Sequence, residues 1–184
     1  MRLFEQLDGR RAFSEEERSL LASVQRVADD GEWSLFCPSE CPYLDETHGE
    51  SFRLLYEEYE RSGAARRTLP ARELMQRIVA SQIETGGPYI MYKDSCNAKS
   101  NHSQHGTIKC GNLCTEIVQY TSPDEVAVCN LGSLNLGAFV DGAAFDFDRL
   151  GDVVRQVVPF LDRVIAINYY PTPEAEHSSH TWRP

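Results

Sequence analysis

The sequence predicts an α/β fold, and three observations carry that expectation. Apolar residues recur at helical spacing over 14–30, 47–61, 70–85 and from 147 onward. Between them lie short β-rich runs, PYIMYK (88–93), EIVQY (116–120) and VAVCN (126–130). Proline and glycine clusters mark the boundaries between these segments. At 184 residues and 41% hydrophobic, the chain can form one domain with a sizeable core.

Taken in order, Ser14 and Glu17 make a capping box, and Leu20, Leu21, Val24 and Val27 follow on one side of a first helix. Pro38 and Pro42, in SLFCPSECP, rule out its continuation. The second helix, 47–61, places Phe52, Leu55, Tyr56 and Tyr59 at i, i+3, i+4 and i+7. A third opens near Pro70, a residue suited to a first turn, and buries Leu74, Ile78, Val79 and Ile83. Gly86-Gly87-Pro88 stops it, and PYIMYK follows as a strand, completing a helix–strand unit. Residues 94–111 read as a polar, irregular loop, long enough to imply function. EIVQY and VAVCN read as two strands joined by the turn TSPDE. NLGSLNLG is too glycine-rich for a core strand and implies a close backbone approach. Asp146 caps a long helix with the stripe Phe147, Leu150, Val154, Val157, Leu161 and Val164 or Ile165, and Pro159 should kink it. After Asn168 no periodicity is visible.

Charge narrows the function. Lys and Arg number 18 against 28 Asp and Glu, a net charge of −10. Nucleic acid is therefore not an expected partner, because binding it needs a basic footprint to displace counterions. Residues 1–60 carry 6 basic and 15 acidic groups, 61–120 carry 8 and 4, and 121–184 carry 4 and 9. The middle third tolerates an anionic ligand best, although Arg61, Arg66, Arg67, Arg72 and Arg77 equally suit a solvated helix surface. No apolar run approaches the ~18–20 residues that span a bilayer, so no membrane is expected. No apolar signal region follows Met1. Six cysteines without an export signal then point to reduced thiols in a cytoplasmic protein.

The chemistry concentrates in Asn112-Leu113-Cys114-Thr115-Glu116. In an extended chain, residues two apart share a face, so Asn112, Cys114 and Glu116 would stand together with Leu113 and Thr115 opposite. Such a face offers an amide to orient a hydroxyl, a thiol for nucleophilic or one-electron chemistry, and a carboxylate to take a proton. An acidic neighbour suits a neutral S–H or a sulfur radical better than an anionic nucleophile, which wants a cation beside it. By spacing alone the pattern is common, and a half-buried strand end with Cys114 as a small apolar residue reads as well. Cys129 lies across the predicted turn, opposite Ile117 or Glu116 according to one residue of register, and periodicity leaves both open. His102, His105, Cys110 and Cys114 supply soft ligands suited to zinc. Their H-x2-H-x4-C-x3-C spacing matches no common structural zinc pattern, and Pro38 interrupts Cys37-x3-Cys41, so no metal is expected.

Three blocks carry a family resemblance. Residues 81–136, SQIETGGPYIMYKDSCNAKSNHSQHGTIKCGNLCTEIVQYTSPDEVAVCNLGSLNL, closely resemble the catalytic large subunit of eukaryotic-type class I ribonucleotide reductase. So do EWSLFCPSECP near the start and INYYPTPEAEHSS-x-x-x-RP near the end. The likeness covers residues 20–184 and leaves 1–19 as an unassigned N-terminal segment. It implies a ten-stranded α/β barrel, of which this chain carries a partial segment, with the catalytic cysteine on a loop inserted at its centre. The implied activity is reduction of ribonucleoside diphosphates to their 2′-deoxy forms.

Position by position, Cys114 resembles the family's radical cysteine, whose thiyl form abstracts the substrate's 3′ hydrogen. Glu116 resembles the carboxylate that takes the 3′-hydroxyl proton. Asn112 resembles the amide that hydrogen-bonds the substrate, and Leu113 accompanies these two in substrate binding. Cys129 resembles one half of the redox pair that ends as a disulfide. The resemblance implies no directly bound cofactor: a di-iron small subunit supplies the radical, and thioredoxin or glutaredoxin supplies reducing equivalents. It also implies self-association of the large subunit. There are departures. In the family the partner of Cys129 lies upstream of the matching region, and none of Cys37, Cys41 or Cys96 sits in its motif. Effector sites, the phosphate-binding loop, the tyrosine pair and the shuttle cysteines have no counterpart among these residues. Gly87 and Gly111 stand where the family usually carries side chains. Two other readings follow, a catalytically inactive remnant or interaction piece, and a Cys/His zinc module.

Overall fold

The computed structural model describes residues 23–184, which divide into two compact units, one ending at Gln119 and the other running from Tyr120 to Pro184. The capping box Ser14…Glu17, Leu20, Leu21 and the 1–19 segment lie outside the described residues. Of the first helix, 23–28 is described, and Val24 and Val27 are half-buried as the stripe requires.

The first unit is organised around a tyrosine. Strand β1 (Glu32–Leu35) pairs antiparallel with β2 (Arg67–Pro70), Trp33 facing Leu69 in register. Helix α1 (Gly49–Arg61) places Tyr56 beneath them. Its hydroxyl accepts from the Ser34 amide and donates to the Ser34 carbonyl, both at 2.8 Å. Those two bonds satisfy polar backbone that the aromatic packing of Trp33, Phe36 and Phe52 would otherwise strand. The Arg26 guanidinium lies 5.2 Å from the Tyr56 ring centroid and grips Glu60 through two bonds of 2.8 Å.

Helix α2 (Ala71–Thr85) begins directly after Pro70 and ends at Gly86, which takes the left-handed conformation (φ 80°) that a side chain would disfavour. Its expected stripe is only partly covered. Leu74 and Ile78 are half-buried, but Val79 is 42% and Ile83 82% exposed. The strands it packs against are four residues each, too short to shield the whole face.

Three expected strands are absent among the described residues. PYIMYK runs without a partner into helix α3 (Lys93–Lys99), which also replaces part of the expected 94–111 loop. EIVQY and VAVCN do not form a ladder; only the bridge Ser122–Glu125 within the TSPDE turn survives.

In the second unit a 3-10 turn (Leu136–Phe139) leads into a hairpin of β3 (Val140–Asp141) and β4 (Ala144–Phe145). Its two-residue turn is Gly142-Ala143, with Gly142 at φ 60°. Asp146 caps α4 (Phe147–Ile167) as expected, accepting from the Arg149 amide at 2.8 Å, and the helix runs through Pro159. Ile165 is buried and Leu150, Val157 and Leu161 are half-buried, whereas Phe147 at the helix start is 75% exposed. In NLGSLNLG, Leu161 approaches Gly132 at ordinary contact, a Cβ there standing 3.5 Å away, while at Gly137 a Cβ would stand a tighter 3.2 Å from Asn135 Oδ1. The tail without periodicity is helical after all. Helix α5 (Pro173–Trp182) starts on Thr172, whose hydroxyl accepts from the Ala175 amide at 3.3 Å, with proline in its first turn.

The elements are α and β, but the sheets among the described residues are two-stranded pairs, and none closes on itself. None of the described helices is long and apolar enough to cross a membrane.

Candidate active site

The segment carrying Cys114 is fastened from both ends. Upstream, buried Asn97 on α3 pairs with Ile108 as a strand neighbour would: its Nδ2 donates to the Ile108 carbonyl at 3.0 Å and its Oδ1 accepts from the Ile108 amide at 2.7 Å. Lys109 reaches Glu46 at 2.8 Å and Asp45 at 3.2 Å, and the Thr107 hydroxyl donates to the Glu46 carbonyl at 2.7 Å. The Asp94 carboxylate accepts from the Gly49 amide at 2.7 Å, tying α3 to the start of α1. These bonds fix residues 107–109, five residues before the thiol.

The thiol itself sits on a turn and not on a strand. The Thr115 amide donates to the Asn112 carbonyl at 3.1 Å, and Asn112 Oδ1 accepts from the Ile117 amide at 3.0 Å. Asn112 thus closes the loop twice, once by backbone and once by side chain. Leu113 and Cys114 occupy its tip, Leu113 at 90% exposure, and Cys114 and Glu116 are exposed. The two-residue alternation expected to align Asn112, Cys114 and Glu116 does not operate in such a turn, which corrects the strand reading. Thr115 pays for the reversal: it is a β-branched residue at φ 65°, a region costing about 1–2 kcal/mol for an L-residue. Strain of this kind is sustained only where the surroundings impose it.

Gly111 makes the turn possible. A Cβ at this position would lie 2.6 Å from Met91 Cε and 2.9 Å from the Ile117 carbonyl oxygen. The position noted for lacking a side chain is therefore one where the chain passes over itself. Beside the turn, and within the same unit, a cleft of about 640 Å³ is bordered by Met91, Tyr92, Cys96, Lys99, His102 and Thr115. Lys99 gives it a cationic wall, and Ser95, Ser100 and Asn101 add polar groups.

The remaining candidates fall differently. Cys129 belongs to the second unit, half-buried, four residues past the Ser122–Glu125 bridge. His102 and His105 are ring neighbours at 5.9 Å, but no group of three or more His, Cys, Asp or Glu among the described residues is arranged to hold a metal ion. The basic band of the middle third is largely paired: Arg66 with Glu40, Arg77 with Glu73, and Arg72 with Asp30 and the Ala28 carbonyl. Sequence reasoning passed over Asn97 and Thr115. Asn97 fell within the stretch expected to be an irregular loop, where a polar residue reads as surface.

Residues 22–184 match the family model described as ribonucleotide reductase, barrel domain, and the chain belongs to that family. Its relatives there are large subunits of ribonucleoside-diphosphate reductase. It is 53% identical over 162 residues to the zebrafish (Danio rerio) large subunit and 55% identical over 161 residues to that of vaccinia virus, strain Copenhagen. These alignments take in 88% of this chain and 20% and 21% of those proteins. The Neurospora crassa large chain is 46% identical over 194 residues, with 99% of this chain aligned to 21% of it. The chain thus spans about a fifth of the length of the curated relatives it matches.

Proposed function

We propose that the turn bearing Asn112, Leu113, Cys114 and Glu116 is the radical-bearing part of a ribonucleoside-diphosphate reductase active centre, in which Cys114, Glu116 and Asn112 act on one ribose. The observation that supports it is the doubly closed Asn112 turn, which lifts Cys114 to an exposed tip with strained Thr115 behind it, in a chain of this family. In this reading the Cys114 thiyl takes the 3′ hydrogen of a ribonucleoside diphosphate. The Glu116 carboxylate accepts the 3′-hydroxyl proton, which eases departure of the 2′-hydroxyl as water. Asn112 donates from its amide nitrogen, because its oxygen already accepts from the Ile117 amide. Leu113 contributes apolar contact to the substrate. Cys129 is one half of the dithiol that supplies two electrons and ends as a disulfide.

The wider setting belongs to the same proposal: a ten-stranded α/β barrel enclosing the cysteine loop, built on residues 20–184 and further chain. A small subunit with a di-iron centre supplies the radical, and thioredoxin or glutaredoxin re-reduces the dithiol. The large subunit self-associates in the cytoplasm.

The test is substitution in the complete large subunit assembled with its small subunit. Cys114→Ser abolishes deoxyribonucleotide formation, and Glu116→Gln lowers kcat by roughly 10²–10⁴-fold. Retained turnover in the serine variant would refute the assignment. A second reading concerns the 184-residue polypeptide by itself, as a non-catalytic interaction piece. The exposure of Ile83 (82%), Phe160 (66%) and Ile167 (72%) favours it, since such faces ask for a partner. Robust turnover by the purified chain with a small subunit would overturn that reading.

A further inference from the structure

Cys37 and Cys41 lie outside the reductase reading, yet the structure assembles them. The Cys41 amide donates to the Cys37 carbonyl at 2.9 Å, and the Glu40 amide donates to the same oxygen at 3.0 Å. This is one helical turn. Pro38 does not break it, because an amide in the first turn has no partner to lose. Residues four apart on such a turn are neighbours, with Cβ atoms ~5–6 Å apart. Disulfides hold Cβ atoms ~3.5–4.5 Å apart, so the turn must tighten by about 1–2 Å to bring the sulfurs together.

The surroundings of the two sulfurs differ. Cys37 is half-buried, with its Sγ 3.0 Å from the Ser39 hydroxyl. That hydrogen bond is the largest influence favouring its thiolate, and the Arg66 guanidinium adds to it while Glu40 opposes. Arg66 is held there by paired bonds of 2.6 and 2.9 Å to Glu40. Cys41 is 1% exposed, and burial pushes its thiol up, keeping it protonated. One sulfur is thus disposed to attack and the other is sheltered beside it, the arrangement of an oxidisable thiol with a resolving partner.

We propose that Cys37 and Cys41 form a peroxide-sensitive dithiol–disulfide site, with Cys37 attacking and Cys41 resolving. The Cys37 thiolate attacks the terminal oxygen of a hydroperoxide, the O–O bond breaks, and Cys37 becomes a sulfenic acid. The departing alkoxide or hydroxide takes up the proton that Cys37 had released. Cys41 sulfur then attacks Cys37 sulfur, forming the S–S bond and expelling hydroxide, which leaves as water with the Cys41 proton. The two thiols together lose two electrons, and the peroxide is reduced to an alcohol, or to water, plus one further water. The site is independent of Cys114.

The experiment uses the purified 184-residue chain treated with hydrogen peroxide, alkylated and digested with trypsin. Residues 27–53 form one tryptic peptide holding both cysteines and no other. The expected result is that this peptide becomes lighter by two hydrogens and resists alkylation before exposed Cys110 is lost, and that dithiothreitol reverses the change. In Cys41→Ser, Cys37 halts at a sulfenic acid trapped by dimedone; in Cys37→Ser, Cys41 remains alkylatable. Circular dichroism establishes that each variant folds, and the wild-type peptide map decides the matter if one does not. Both thiols of 27–53 still alkylated after Cys110 has oxidised would overturn the proposal. So would cross-linking of Cys37 to another peptide, or its passage to a sulfinic acid in the wild-type chain.

Discussion

The carboxamide of Asn97 meets the backbone of Ile108 twice, donating at 3.0 Å and accepting at 2.7 Å. A single buried side chain, 5% exposed, therefore does the work of a neighbouring strand for the segment that leads to Cys114. It also donates to the Lys93 carbonyl at 2.9 Å, so α3 and the segment are held by one group.

Asn97→Ala leaves the Ile108 amide and carbonyl without this partner. Each unsatisfied buried group costs about 1–3 kcal/mol, and the loss should fall on this segment first. Hydrogen exchange at the Ile108 amide is the direct measurement, and the expected outcome is loss of its protection at unchanged helix content. Protection equal to that of the parent chain would show that the carboxamide is dispensable.

Gly111→Ala inserts a methyl 2.9 Å from the Ile117 carbonyl oxygen. Met91 has a flexible end and can withdraw, but the carbonyl is backbone and moves only with the turn. The expected cost is about 1–3 kcal/mol, the usual range for overpacking. A urea titration of the variant against the parent reads it, and an unchanged midpoint would mean that the loop relaxes without strain.

The pairing of Arg26 with Glu60 makes part of the first unit's stability depend on pH. The hydrogen bonds from the Arg26 guanidinium hold the Glu60 carboxyl below the ordinary carboxylate range. A folded-state value below the unfolded one, about 4.3 for glutamate, stabilises fully above that pH. The contribution is lost as pH falls from about 5 through the folded value. Glu60→Gln should flatten this part of the profile, by about 1–2 kcal/mol at neutral pH after allowance for partial exposure. Denaturant midpoints between pH 3 and 7 provide the comparison, and parallel profiles for the two proteins would contradict the pairing's role.

The helices were legible because their signals are local. Phe52, Leu55, Tyr56 and Tyr59 repeat at helical spacing within one segment, and Asp146 caps at the position its neighbours require. β1 and β2 were not legible, since Glu32–Leu35 and Arg67–Pro70 pair across a whole intervening helix and neither alternates cleanly. Helix α5 has no apolar stripe, but Thr172-Pro173-Glu174 announced it through a cap, a proline and an acid in the first turn. At the candidate site the residue types were readable and the geometry was not. Reading 112–116 as extended ignored the side chain of Asn112, which captures the Ile117 amide and bends the chain. The runs EIVQY and VAVCN have suitable residues but pair only at the Ser122–Glu125 bridge of the turn between them.

The indole of Trp182 donates to the Glu125 carboxylate at 2.7 Å, which anchors the last helical residue to the TSPDE reversal. Glu125, four residues ahead of Cys129, in turn exchanges backbone bonds with Ser122. The approach to one thiol is thereby moored by an aromatic side chain far downstream. Asn130, next to Cys129, also donates to the Pro184 carbonyl at 3.4 Å, so a nick or truncation near residue 173 would release both holds on that sulfur's surroundings.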